Sequence, residues 1–136
     1  MLKKGTALMR LALQFAYDVV AGAVAHIILM IAGFILSMAL FGKMDEGVIH
    51  LILCVCIPFA FAGMFISYRG VKFPRTVSAA SGVVALLFPP VVIAAYWNWL
   101  QIGPKYLFAI LGLPFSVVGS HYVSQSRVNN ADEAIP

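Results

Sequence analysis

Residues 19–41 read VVAGAVAHIILMIAGFILSMALF, an unbroken run without a single Asp, Glu, Lys or Arg. As a helix rising 1.5 Å per residue it is about 34 Å long, enough to cross the roughly 30 Å hydrocarbon core of a bilayer. The rest of the chain follows the same plan, with charge gathered in short stretches that separate four apolar blocks. Only 10% of the 136 residues are Asp, Glu, Lys or Arg and 62% are hydrophobic, with a mean hydropathy of +0.98. A soluble domain carries about 25% charged residues. The pattern predicts an all-α, polytopic membrane protein: four transmembrane helices in a compact bundle with short loops.

The spans are expected at about 19–41, 48–67, 77–97 and 106–123, the first with a helical lead-in from Met9. Together they make one transmembrane domain over 1–123, followed by a loose polar tail over 124–136. Four spans of roughly 20 residues use nearly the whole chain, which excludes a soluble catalytic or nucleic-acid-binding module. The net charge of +4 therefore reads as topology and not as a nucleic-acid signal. Lys3, Lys4, Arg10, Arg69, Lys72, Arg75 and Arg127 fall on one side, and Lys43 and Lys105 on the other. Basic residues mark the cytoplasmic face, so both termini are expected inside, in a bacterial-type inner membrane. Tyr96, Trp97, Trp99 and Tyr106 at one boundary, and Tyr68 and Phe73 at the other, suit rings that prefer a half-wet interface. The Ala23-Val24-Ala25 stretch resembles a leader cleavage site, but Gln14 and Asp18 interrupt the apolar region before it. No cleavage is expected.

Lipid tails are as apolar as Leu, so membrane helices are held by close approach of small residues. Each block carries such a face. The second has Cys56, Ala60, Gly63 and Ser67; the third Ser78, Ser81, Gly82 and Ala85; the fourth Gly112, Ser116, Gly119 and Ser120. In the first, Asp18, Gly22, His26, Gly33 and Ser37 fall within an arc of about 100° at helical periodicity. Ionisable groups in a bilayer face protein and not lipid, so this stripe is expected to look into the bundle or at a partner chain. Asp18 lies at the level of Arg69, Lys72 and Arg75, and an ion pair with one of them is expected. A proton or cation site is the alternative. His26 reads as a hydrogen-bonded packing residue, with a proton relay or ligand role as the alternative.

Pro58, Pro89, Pro90 and Pro114 all fall near the middle of a span. A helical proline removes a donor and frees the carbonyl four residues earlier, here those of Cys54, Ala85, Leu86 and Ile110. Transporters place sites at broken helices near the midplane. One reading is thus a central cavity lined by Pro58, Pro89, Pro90, Pro114, Ser116 and His26, on a pathway that includes Asp18 and Ser37. The other is four kinks that improve packing.

No nucleotide loop, nucleophile elbow, zinc-protease motif or carboxylate pair occurs, so no enzyme activity and no metal are expected. A haem b between His26 and His121 is disfavoured, because His121 lies only about two residues inside its span and the depths do not match. Cys54 and Cys56, two apart on a helix, point to opposite sides and read as buried small residues. The membrane-embedded Glu of the small multidrug exporters is missing from the first span. The reading is a non-enzymatic membrane protein acting as a homo-oligomer or as a small subunit of a membrane complex. A small transporter or channel for protons, ions or a small solute is the alternative, and a lysis or immunity-type protein a further one.

Overall fold

The computed structural model describes residues 2–42, 48–96 and 110–134, leaving aside the side chains of 2, 48, 50 and 89–96. The described chain is all helical. Its elements are α1 (Leu2–Phe41), α2 (Val48–Leu51), a π-helical turn (Ile52–Cys56), α3 (Ile57–Tyr68), α4 (Pro74–Tyr96) and α5 (Gly112–Glu133). Helix α2, the π-turn and α3 run on as one rod. By length and composition, Lys3–Phe41 suffices to cross a membrane, while Ile52–Tyr68 and Pro74–Phe88 are shorter apolar helices.

Glycine and proline punctuate these rods. Helix α1 ends at Gly42, whose φ of +66° lets its amide donate to the Met38 carbonyl at 2.9 Å. A side chain at that φ would be strained. Gly70, at φ +76°, ends α3 in the same way, its amide bonding the Ser67 carbonyl at 3.1 Å. Pro74 then opens α4, where its fixed φ suits the first helical turn and its missing amide costs nothing. Pro58 and Pro114 also occupy first turns, of α3 and α5. Pro58 nonetheless stands inside the continuous rod from Val48 to Tyr68, with a π-turn just before it, whereas Pro114 stands in the first turn of α5. Before Pro58 the π-turn re-pairs the backbone, with the Ile57 amide reaching back to the Ile52 carbonyl.

Two other boundaries differ from the expectation. Helix α1 begins at Leu2 rather than near Met9. The segment after Ser124 is no loose tail but continues α5 to Glu133, tied down by contacts described below. The expected interfacial residues Trp97, Trp99 and Tyr106, and the loop cations Lys43 and Lys105, lie outside the described residues.

Small residues set the packing. Helix α3 runs along α5 and α1 along α4, with α4 also against α5 and α1 against α3. A methyl group at Gly63 would strike the Ser116 backbone, and one at Gly119 the Ala60 backbone, so α3 and α5 meet backbone to backbone. Helix α1 meets α4 where Gly22 faces Ser81, and meets the π-turn where Gly33 faces the Leu53 carbonyl. Asp18, Gly22, His26, Gly33 and Ser37 are all buried, as the α1 stripe requires. Among the described residues the large apolar side chains inside are few: Val55, Phe59, Ile66, Val77 and Leu86, with Met30, Leu51, Cys54 and Leu113 packed against the cluster of Val55, Phe59 and Leu86. Many more are outside, among them Val20, Ile28, Ile35, Phe61 and Val118.

Candidate functional site

The polar stripe of α1 meets the other helices at three levels. The middle one is the most enclosed. His26 is 0% exposed, as are Ser78, Ser81 and Ser116. The ring is held at both nitrogens: Nδ1 lies 2.8 Å from the Gly22 carbonyl oxygen, and Nε2 lies 2.8 Å from Ser116 Oγ. A carbonyl only accepts, so Nδ1 carries the proton and donates to Gly22. With the ring uncharged, Nε2 is an acceptor, and the Ser116 hydroxyl donates to it. That hydroxyl also stands 3.4 Å from the Ser78 carbonyl. It has one hydrogen, and the shorter contact to His26 takes it. The edge of the ring packs on Phe59, with centroids 4.7 Å apart and planes at 76°. One imidazole thus joins α1, α3 and α5.

A serine within hydrogen-bond reach of a histidine is the spacing of a nucleophile and its base. Here the ring is backed by a carbonyl instead of a carboxylate, and neither residue has exposed surface. The arrangement acts as a cross-brace between helices. Ser81 turns its hydroxyl onto the Ser78 carbonyl at 3.2 Å, whereas the buried Ser78 Oγ has no partner among the described residues.

The level nearer the termini holds Asp18. Its carboxylate accepts from Gln14 Nε2 at 3.2 Å. The expected ion pair with Arg69, Lys72 or Arg75 is not formed among the described residues: all three cations are exposed, and Arg69 instead lies over the Tyr17 ring, 5.9 Å from its centroid. Ser67 and Ser124 share a hydrogen bond of 3.1 Å across α3 and α5. Arg127 donates to the Tyr68 carbonyl and covers the Tyr68 ring at 5.2 Å. The third level, at the far end of α1, pairs Ser37 with the Cys54 thiol of the π-turn. Both cysteines are free.

Of the residues singled out from the sequence, His26 and Ser116 come together, and Pro58 packs near Gly33 at the third level. Ser37 is buried there, at 1% exposure, away from His26. Pro114 is exposed and is not part of the centre, because a first-turn proline two residues before Ser116 points elsewhere on the helix. The side chains of Pro89 and Pro90 lie outside the described residues. A recess of about 210 Å³ is lined by Ile52, Cys56, Ile57, Ala60 and Phe115, apolar throughout and containing none of the expected pathway residues. His26 Nε2 is engaged by Ser116, and His121 Nδ1, though buried, has no partner among the described residues. No cluster of three His, Cys, Asp or Glu suited to a metal occurs among the described residues.

Sequence reasoning missed the Phe59 ring, the Gln14 clasp on Asp18 and the Arg127 contact. Ser124 was within reach: Gly112, Ser116, Ser120 and Ser124 recur every fourth residue, and that period carries the seam past the expected end of the span. Compared with known proteins, the chain matches no family model, no curated protein and no solved structure.

Proposed function

We propose that this is a four-span integral membrane protein with both ends in the cytoplasm. In this reading it does no catalysis and works as a homo-oligomer or as a small subunit of a larger membrane assembly. The observation that carries it is how polar and apolar groups are divided. His26, Ser37, Ser78, Ser81, Ser116 and Ser120 are all 0–1% exposed, so the hydroxyls and the imidazole at these depths are turned toward neighbouring helices. Around them Leu13, Val20, Ile28 and Ile35 are each about 60% exposed. Apolar patches of this size are surfaces for lipid or for another protein. The four spans are supported by the 40-residue α1 and the 23-residue α4, by the rod from Val48 to Tyr68, and by the apolar start of α5. The orientation is supported by the basic residues at Lys3, Lys4, Arg10, Arg69, Lys72, Arg75 and Arg127.

The test is the mass and composition of the protein extracted with its native lipid, combined with reporters fused to each end. A discrete oligomer or one stoichiometric partner, with both reporters active only inside the cell, is the expected result. A lone monomer, or dye leakage on expression, overturns it.

A second reading, transport of a proton or small ion, is favoured by one observation. Asp18 is a buried acid, 7% exposed, held among the described residues by Gln14 alone. Flux in proteoliposomes that is lost in Asp18→Asn, with folding intact, selects this reading over the first.

A further inference from the structure

We infer that residues 2–17 of α1 form a basic ramp that climbs through the anionic headgroups of the cytoplasmic leaflet. This rests on the membrane reading above and goes beyond it by naming what covers the free end of α1.

Along residues 3–14 every side chain is exposed, including Leu8 at 70%, Met9 at 61%, Leu11 at 41% and Leu13 at 62%. Burial starts at Phe15, partly, and at Asp18 fully, with Arg69 reaching over the Tyr17 ring between them. At 100° per residue, Lys3, Arg10 and Gln14 fall in one narrow stripe, while Leu8, Met9, Ala12, Leu13 and Phe15 spread over an arc of about 160° on the other side, with Lys4 bordering the far edge of that arc and Leu11 between the two faces. A two-helix seam needs a narrow apolar line. A wide apolar arc with a basic edge is the pattern of a helix that sits in a lipid interface.

Charge names the lipid. Lys3, Lys4, Arg10, Lys72 and Arg75 are exposed, and none forms an ion pair among the described residues. Against seven cations at this end (Lys3, Lys4, Arg10, Arg69, Lys72, Arg75 and Arg127), the acids among the described residues are Asp18, buried and bonded to Gln14, and Asp132 and Glu133, exposed at the end of α5. Basic clusters just inside a membrane helix attract anionic lipid. Length sets the angle. The 40 residues of α1 span about 60 Å, so a lean of about 40° makes them rise about 46 Å, the thickness of a bilayer with its headgroups. At that lean each residue rises about 1.15 Å, so Met9 stands at the hydrocarbon edge, Leu13 about 5 Å inside it and Leu8 among the headgroups, and the lysine stems reach the phosphates.

The experiment uses the full chain in nanodiscs, in a Cys54→Ser, Cys56→Ala background. An environment-sensitive dye is placed at Leu13→Cys, Leu8→Cys or, as a reference, Ile31→Cys. The discs are phosphatidylcholine alone or phosphatidylcholine with 30% phosphatidylglycerol. Dyes at 8 and 13 are expected to be shielded from an aqueous quencher in the anionic discs. In the Lys3→Gln, Lys4→Gln, Arg10→Gln variant, preference for anionic over neutral discs should fall roughly fivefold per charge removed. Dyes at 8 and 13 that are quenched equally in both lipids overturn the inference. So does shielding that is independent of lipid charge and accompanied by label-to-label contact between two copies, because a second copy is then the cover. If Ile31→Cys is also quenched, it is the membrane reading itself that has failed.

Discussion

Replacing Gly63 with alanine tests the backbone seam directly. The added methyl would sit 2.8 Å from the Ser116 carbonyl carbon and 3.1 Å from its Cα, closer still to the carbonyl oxygen. These are backbone atoms of a helix and cannot rotate aside. Helices α3 and α5 must part by about 1 Å, and overpacking of this kind costs about 1–3 kcal/mol. Gly119→Ala meets the Ala60 backbone from the other side, with its carbonyl carbon at 3.0 Å and Cα at 3.2 Å, and should cost the same. Gly82→Ala is the control. Its new methyl meets side chains and not backbone: the tip of Leu113 at 2.7 Å, with the edge of Phe59 at 3.5 Å and His26 Nε2 at 3.7 Å in ordinary contact. A leucine tip turns away, so the loss should stay below about 1 kcal/mol. Because Gly63 and Gly119 lie on one seam, parting the helices once makes room for both methyl groups. The double variant should therefore lose little more than the worse single one. Reversible unfolding in mixed micelles, followed by circular dichroism, measures all four. A Gly63→Ala variant as stable as Gly82→Ala, or a double variant with strictly additive losses, would refute the backbone contact.

Three further outcomes are expected. Ser116→Ala leaves His26 Nε2 without its donor. A double-mutant cycle with His26→Phe should give a coupling of about 0.6–1.7 kcal/mol, and nitrogen NMR of the intact protein should find the ring proton on Nδ1. Asp18→Asn keeps an acceptor for Gln14 and should leave the unfolding midpoint in place, while Asp18→Leu lowers it; a large loss with Asn would reveal a cation partner after all. Arg127→Ala should speed amide exchange over residues 124–133 and leave 116–120 protected, since the tail is anchored by the Tyr68 contact and the core of α5 by its glycines.

The arrangement of the bundle was legible mainly through its smallest residues. Gly22, Gly33, Gly63 and Gly119 sit where periodicity put them, because two helices can approach to backbone distance only where no side chain intervenes. The same periodicity turned His26 and Ser116 inward, each on its own helix. That they would meet each other was not legible, since their distance depends on how α1 and α5 are displaced along their axes, which no single-helix pattern contains. The prolines were legible in part. Pro58 does lie inside a helical rod, but residue types do not say that a π-turn would absorb it, nor that α5 begins at Gly112 and so takes Pro114 in its first turn. Asp18 shows a similar limit. Opposite charges at one depth suggest a pair, but the guanidinium of Arg69 settles on the Tyr17 face, and an amide four residues away satisfies the acid.

The π-turn at Ile52–Cys56 has a consequence for how the rod from Val48 to Tyr68 tolerates change in length. A π-turn is an ordinary helix with one residue too many, and here the surplus lies just before Pro58, whose ring and missing amide a regular helix would not accommodate. Removing one of these five residues should therefore leave the faces on either side nearly in phase but press the proline ring onto the carbonyl four residues before it. Slack at this one turn is what lets a proline stand inside an unbroken rod.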